Sequence, residues 1–284
     1  MSSHAYRTHA LISSGLAAGW LALTVCATAA QPPAAGLAEQ VATLAASVAA
    51  LKLENQDLQA RVMTLENLLR HFSVDNDDIY ITGANLNIQD GSGHSWGAGS
   101  EYEPAPNGKG NLVIGYNEET VPRKPRTGSH NLVLGPYHSY SSVGGLVAGR
   151  ENTISGPYSS VSGGDQNVAS GIGSSVSGGK LNTAGANFSS VSGGAANTAS
   201  LFYSSVSGGA HNTASGMYSS VSGGDSNTAS GWNSSIGGGD FNTASGAGSS
   251  VSGGSYVQIL DPDPTIGTSY WAAGDYVYPR PPQP

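Results

Sequence analysis

The sequence predicts a mainly β fold in which a parallel β-solenoid follows a coiled-coil helix. A Ser-Ser-Val-Ser-Gly-Gly motif, with small variations, recurs every 15 residues over residues 159–254. Apolar residues follow a heptad period over residues 37–72. Glycine accounts for 41 of the 284 residues, while charged residues make up only 11%. Because such a chain is poor in the large apolar side chains of a compact core, its burial has to come from regular stacking.

The N-terminal residues have the pattern of a secretory signal. Arg7 is basic, residues 10–25 are apolar, and residues 27–30 are small, as a cleavage site requires. The apolar stretch is shorter than the roughly 20 residues that span a membrane. We therefore predict that residues 1–30 direct export from a bacterial cell and that the mature chain has no transmembrane segment. A retained N-terminal anchor and lipidation of Cys26, the single cysteine, are the alternatives.

Residues 37–72 predict a coiled coil. Their apolar positions alternate between spacings of four and three, and only Asn55 departs from the stripe. A narrow stripe of this length is typical of an oligomeric seam, whereas a helix on a globular core has a wider apolar face. Arg61-Val62 and Leu65-Glu66 resemble a short motif of three-stranded coiled coils, which favours a trimer over a dimer. The seam positions are Leu37, Val41, Leu44, Val48, Leu51, Asn55, Leu58, Val62, Leu65, Leu69 and Phe72.

The 15-residue units over residues 144–256 predict the solenoid. Each unit has a short Ser-Val-Ser stretch, two glycines and an Asn-Thr-Ala stretch, so alternation directs the Val and the Ala inward. The glycines permit a corner, and successive coils would pair their backbones about 4.8 Å apart. An Asn in every unit predicts a structural ladder of stacked amides. The ladder comprises Asn152, Asn167, Asn182, Asn197, Asn212, Asn227 and Asn242.

One Val and one Ala in each coil make a thin core. Such small side chains offset little of the conformational entropy that is lost when a whole coil becomes ordered. Disulfide bonds cannot compensate, because the single cysteine lies in the predicted signal. We therefore predict that the solenoid associates with further copies of the chain and that the coiled coil brings these copies together.

The coiled coil and the Ser-Val-x-x-Gly repeats resemble the YadA-like head of trimeric autotransporter adhesins. The resemblance covers residues 111–254 and includes the stretches Asn111–Gly115 and Asn131–Gly135. It implies a left-handed parallel β-roll of three intertwined chains with a role in adhesion. The chain departs from this family because its coiled coil precedes the repeats. In addition, residues 257–284 form a proline-rich tail without the strand pattern of an outer-membrane anchor.

Residues 73–143 predict a β-rich neck with early, irregular head repeats. We expect residues 80–88 to form a strand and residues 75–78 to be a solvated acidic segment, since no oxygen ligands follow at the spacing of a calcium loop. The stretches 81–86 and 144–149 are also similar to a group of uncharacterised secreted bacterial proteins of the same layout. That second resemblance implies no function.

We expect no enzymatic activity, no cofactor and no metal. The many serines belong to a repeated column, whereas an active site is a singular constellation. His94, His130 and His138 are expected to be surface or turn histidines, because no carboxylate or cysteine accompanies them at ligand spacing. The net charge is −8 and no basic block is present, which argues against a nucleic-acid partner.

The sequence favours a secreted or cell-surface, adhesin-like structural protein that attaches to glycans, matrix or cells. The candidate contacts are the large apolar residues that precede the Ser-Ser pairs. They are Phe188, Phe202, Tyr203, Met217, Tyr218 and Trp232. Packing between coils or between chains is the alternative for the same residues. Ice binding by the threonine column that includes Thr198 and Thr213, or a phage-type fibre, are the other functions that stay open.

Overall fold

A computed structural model describes residues 34–260 and 271–272 of the chain. The predicted export signal, with Cys26, and most of the proline-rich tail lie outside the described residues. The chain divides into two units, Met1–Asn85 and Leu86–Pro284. The first contains a helix and a hairpin, and the second contains the solenoid.

The first unit begins with helix α1 (Ala34–Leu69). The seam was predicted to continue to Phe72, but the helix ends three residues earlier and Phe72 begins a strand. Strands β1 (Phe72–Asp75) and β2 (Asp78–Ile81) form an antiparallel hairpin. Asn76 has a φ of 53° in its two-residue turn, a conformation that Asn tolerates better than most residues. The strand expected over residues 80–88 is therefore displaced toward the N-terminus.

Among the residues that the structure describes, the segment Gly36–Leu69 of α1 is long and apolar enough, by length and composition, to cross a membrane. However, Lys52, Glu54, Asp57 and Arg61 interrupt the C-terminal half of this helix. Burying four charged side chains in a bilayer would be costly. They are compatible instead with a helix that has one apolar stripe and is otherwise exposed to water.

The second unit is a parallel β-solenoid made of two sheets. The first sheet contains β3 (Leu112–Ile114), β4 (Leu132–Leu134), β6 (Leu146–Ala148), β8 (Ser160–Val161), β10 (Ser175–Val176), β12 (Ser190–Val191), β14 (Ser205–Val206), β16 (Ser220–Val221), β18 (Ser235–Ile236), β20 (Ser250–Val251) and β22 (Trp271–Ala272). The second contains β5 (Ser139–Tyr140), β7 (Thr153–Ile154), β9 (Val168–Ala169), β11 (Thr183–Ala184), β13 (Thr198–Ala199), β15 (Thr213–Ala214), β17 (Thr228–Ala229), β19 (Thr243–Ala244) and β21 (Gln258–Ile259).

The sequence period sets the register of both sheets. In the first sheet Val176 pairs with Val191, and in the second Ala184 pairs with Ala199, so each partner is 15 residues further along the chain. The early coils differ, because Leu132 pairs with Leu146 at an interval of 14. These pairings confirm the predicted parallel solenoid of 15-residue repeats after a single helix.

The core of the solenoid is a double column of small side chains. Val176 and Ala184 are fully buried, and their equivalents in the other coils from residue 144 onward are at most 2% exposed, except for Ile259 in the last coil. The ladder Asn and the first Ser of each Ser-Ser pair are buried as well, as Asn182 and Ser174 illustrate. Half of the inward-facing positions are therefore polar, and the coils depend on hydrogen bonds as well as on apolar burial.

Most corners of the coils contain a left-handed residue that is not glycine, with Gly173 and Gly248 among the exceptions. The Gly-Gly pair was expected to supply the corner conformation, and Gly194 does have a φ of +85°. In the same corner Ala196 has a φ of 55°, and at the other corner Tyr203 has a φ of 58°. Such residues are uncommon in this region, so the contacts between coils must hold them there.

Candidate interaction surface

The asparagine ladder lies inside the coils and is saturated by the backbone. In a typical coil the Nδ2 group of Asn197 donates to the carbonyl oxygens of Gly193 and Gly209, both at 2.9 Å. Its Oδ1 atom accepts the backbone N–H of Asn212 at 2.9 Å, and its own N–H donates to Asn182 Oδ1 at 3.0 Å. The ladder thus uses its hydrogen-bonding groups within and between coils, and it presents no surface to a ligand.

His138 continues the ladder toward the N-terminus. Its Nδ1 atom accepts the backbone N–H of Asn152 at 3.2 Å, and its Nε2–H donates to the carbonyl of Leu134 at 2.9 Å. Its own N–H donates to Asn117 Oδ1 at 2.8 Å. The side chain is fully buried, so His138 is not a surface histidine, and it directly follows the left-handed Tyr137 at a corner of its coil. The interval of 14 residues from His138 to Asn152, equal to that of the early coils, is the signal that could have identified it.

Protonation of His138 is expected to weaken the solenoid. Burial, with a smaller effect of Arg126, lowers the pKa of His138 below its usual value of 6.5. The unfolded chain therefore takes up the proton more readily, and stability that is present above about pH 6.5 is lost as the pH falls. We expect a lower melting temperature at about pH 5 than at about pH 7.5, and a smaller decrease in His138→Asn, which restores the ladder amide. An equal decrease in both proteins would contradict this role of His138.

Three of the six candidate contacts stack on one another between coils. The rings of Phe188 and Tyr203 lie 5.2 Å apart at 11°, and those of Tyr203 and Tyr218 lie 5.1 Å apart at 3°. At the end of this column, a Cβ atom on Gly173 would lie only 3.1 Å from the Phe188 ring, so the Gly173 backbone covers the ring face. The three residues are still 47–50% exposed, so they stabilise neighbouring coils and also present aromatic surface to solvent.

The other three candidates occupy the preceding position of the same corner. Phe202, Met217 and Trp232 belong to successive coils, and they are 42%, 39% and 57% exposed. Leu201, beside Phe202, is 41% exposed. We call these four residues the apolar ridge. The structure therefore divides the six candidates into an intercoil stack and an adjacent ridge, both of them partly exposed, a distinction that the sequence did not make.

The remaining surface of the 15-residue coils is mostly covered by small polar side chains. The column that contains Thr198 and Thr213 lies in register on the second sheet, where each Thr is partly exposed. The Gly-Gly corner carries intercoil ion pairs, because Asp165 contacts Arg150 at 3.0 Å and Lys180 at 3.4 Å. These pairs are exposed and contribute little to stability.

Sequence reasoning missed a second aromatic pair, which lies at the Gly-Gly corner. The rings of Phe241 and Tyr256 stack there with 5.0 Å between their centroids. The two residues are 15 positions apart, as in the first stack, so the repeat interval is the signal that could have found them.

Among the described residues of the first unit, the predicted seam is exposed. Its nine apolar positions in α1, and Phe72 at the start of β1, are each between 49% and 65% exposed. A single helix with such an exposed stripe is typical of one strand of a coiled coil. Elsewhere in the part of the chain that the structure describes, no group of three His, Cys, Asp or Glu side chains is placed to hold a metal ion.

No protein-family model and no curated protein matches the chain. The resemblance to YadA-like heads therefore depends on the repeat pattern and on the parallel solenoid that it forms.

Proposed function

We propose that the chain is a secreted or cell-surface, non-enzymatic, adhesin-like protein whose rod-like repeats attach to glycans, matrix or cells. The observation that carries this proposal is the apolar ridge, Leu201, Phe202, Met217 and Trp232, which adjoins the partly exposed aromatic stack on a surface where most other side chains are small and polar. Large aromatic side chains and Met are enriched in binding interfaces, and a contiguous exposed group of them marks an interaction site. The export pattern of residues 1–30 supports a location outside the cell.

The proposal includes assembly of three chains through α1. The exposed seam must be covered, because a row of nine apolar side chains in water is unfavourable at roughly 25 cal/mol for each Å² of apolar surface. Identical seams in parallel would cover each other, and Arg61 and Glu66 match the pattern that favours three strands. A trimer would also display three copies of the ridge, which raises the avidity for a surface with many weak sites.

No catalysis is part of this function. The repeated serines lie in columns. Ser204 and Ser219 both donate to the carbonyl three residues earlier, whereas the hydroxyls of Ser174, Ser234 and Ser249 are buried without a hydrogen-bond partner. In neither arrangement does the hydroxyl donate to a base that could activate it as a nucleophile.

Removal of the ridge is expected to abolish attachment without unfolding the rod. Combined Phe202→Ser, Met217→Ser and Trp232→Ser substitutions should lower binding to glycan-coated or matrix-coated surfaces by about tenfold or more, since exposed anchors dominate binding energy. Binding of the purified full chain is measured by surface plasmon resonance. The matched control is Leu181→Ser with Phe241→Ser, which removes similarly exposed side chains (51% and 46%) from the Gly-Gly corner.

Two outcomes would overturn the role of the ridge. One is unchanged attachment of the triple variant, and the other is an equal loss in the control. If the triple variant instead lost its oligomeric mass while retaining attachment, the ridge would be a contact between chains.

The apolar seam of α1 predicts that the chain is a trimer in solution. The full chain should have the mass of three chains by light scattering, and Leu51→Ser, Leu58→Ser and Leu65→Ser together should reduce it to that of one. Leu53→Ser with Leu68→Ser is the matched control, because these leucines lie off the seam and are 68% and 67% exposed. A monomeric wild-type chain with an intact solenoid would refute assembly through α1.

A further inference from the structure

The irregular part of the second unit, before the 15-residue coils, contains a small pocket. It has a volume of about 300 Å³ and is lined by Gln89, Asp90, His94, Ser95, His130 and two glycines. Added Cβ atoms on Gly91 and Gly93 would meet no other atom within 4 Å, so the loop leaves this space open. His94 stacks in parallel on Trp96 with 5.4 Å between ring centroids, which holds the imidazole at the pocket wall.

Asp90 is buried in the pocket wall with one oxygen unpaired. Its side chain is 2% exposed. Oδ1 accepts the N–H of Ser92 at 2.8 Å and its hydroxyl at 2.6 Å. Oδ2 is buried and has no hydrogen-bond partner. These bonds from Ser92 lower the pKa of Asp90, so the carboxylate is charged at neutral pH.

The neighbouring histidine donates no hydrogen bond to this carboxylate. His130 Nδ1 lies 3.0 Å from the carbonyl oxygen of Ser95, to which it donates, and Nε2 accepts the N–H of Asp90 at 3.3 Å. Both ring nitrogens are therefore engaged with backbone groups. Among the described residues, the basic side chain near the Asp90 carboxylate is His130 at 3.8 Å, and no lysine or arginine forms an ion pair with it. A buried carboxylate oxygen without a hydrogen-bond partner is costly, which favours a cationic ligand over a neutral hydroxyl.

The geometry of the carboxylate restricts the class of cation. A guanidinium pairs best with both carboxylate oxygens, and Oδ1 is already occupied by Ser92. A calcium ion takes six to eight oxygen ligands, and the described residues offer no cluster of three acidic or metal-binding side chains. A primary ammonium is compact, and one of its three N–H groups suffices for Oδ2.

We propose that this pocket binds an amino sugar, whose ammonium group pairs with Asp90 Oδ2. The volume accommodates one monosaccharide, and the side chains of Gln89 and His94 offer an amide and a ring edge for its hydroxyl groups. The pocket shares no residue with the apolar ridge, and this proposal does not rest on the adhesive function.

The experiment compares D-glucosamine with N-acetyl-D-glucosamine by isothermal titration calorimetry on the purified full chain. Acetylation removes the positive charge and keeps the ring, so it should weaken binding at least about tenfold. Asp90→Asn should have a similar effect. Its amide oxygen still accepts the bonds from Ser92, and it replaces the charged Oδ2 with a neutral donor. Asp225→Asn is the matched control, because the Asp225 side chain is 44% exposed and lies in the repeats.

His94→Ala provides a second variant, since only the backbone of this residue supports the Ser92 turn. It should weaken D-glucosamine binding severalfold while leaving the melting temperature near that of the wild type. Equal binding of the two sugars, no binding of either, or unchanged binding by Asp90→Asn would overturn the proposal. Binding of L-lysine in the absence of D-glucosamine binding would also overturn the assignment to a sugar.

Discussion

Replacing Gly194 with Ala is expected to lower the free energy of unfolding by about 3 kcal/mol or more, through overlap and backbone strain. A Cβ atom there would overlap the carbonyl oxygen of Gly209 in the next coil and lie 2.6 Å from Asn197 Nδ2. The φ of +85° adds strain for any L side chain. Neither group can move aside without loss, because the Gly209 carbonyl accepts the N–H of Ala195 and Asn197 is bonded on both sides.

The adjacent Gly193 provides the control. Its added Cβ atom would meet nothing within 4 Å, and no left-handed φ is found at this residue. Gly193→Ala should therefore leave stability unchanged or raise it by about 0.4–1 kcal/mol, since Ala restricts the unfolded chain. Urea unfolding of the two single variants measures the difference. Equal changes in the free energy of unfolding at the two positions would contradict the predicted overlap between residue 194 and the next coil.

Loss of one ladder amide is expected to be nearly as damaging. In Asn197→Ala the backbone N–H of Asn212 loses its acceptor while it stays buried, and the carbonyl of Gly193 loses its donor. Each buried polar group without a partner costs about 1–3 kcal/mol, so a total of about 3–5 kcal/mol is expected, including the lost side-chain packing.

Hydrogen exchange would locate this effect. The amide protons of Asn212 and of the adjoining coils should lose protection first, because each coil contacts only its neighbours. Ser192→Ala, at an exposed position of the same coil, should leave both the stability and the exchange rates near those of the wild type. If Asn197→Ala had as little effect on stability and exchange rates as Ser192→Ala, this result would contradict a structural role of the ladder.

The repeats could be predicted because each contact within them recurs at a constant interval. Alternation alone directs Val176 and Ala184 inward, and the 15-residue period alone pairs each of them with its equivalent in the next coil. The same period indicated that Asn182 belongs to a column. No long-range contact outside this period was needed to derive the two sheets.

The start of the chain's β structure was harder to predict. The hairpin at residues 72–81 depends on the left-handed conformation of Asn76, and the sequence Asp-Asn-Asp-Asp is equally compatible with a solvated segment. His138 replaces an Asn in the ladder with a chemically different side chain that offers one donor and one acceptor in similar places. A search by residue type does not find such an equivalence, because it lies in the geometry of the hydrogen bonds.

The amino-acid sequence was sufficient for the architecture, since a solenoid coil interacts mainly with coils at one repeat distance and the period therefore specifies the backbone pairing. It was insufficient for the roles of the side chains at the corners. Phe188 and Phe202 are both aromatic and are 50% and 42% exposed, yet Phe188 stacks on the ring of Tyr203 while Phe202 belongs to the apolar ridge. The stacked residues Phe188 and Tyr203 share a left-handed backbone conformation, which the repeat interval alone does not reveal. The same holds for the pocket, because Asp90 and His130 meet only when segments 40 residues apart in sequence fold together.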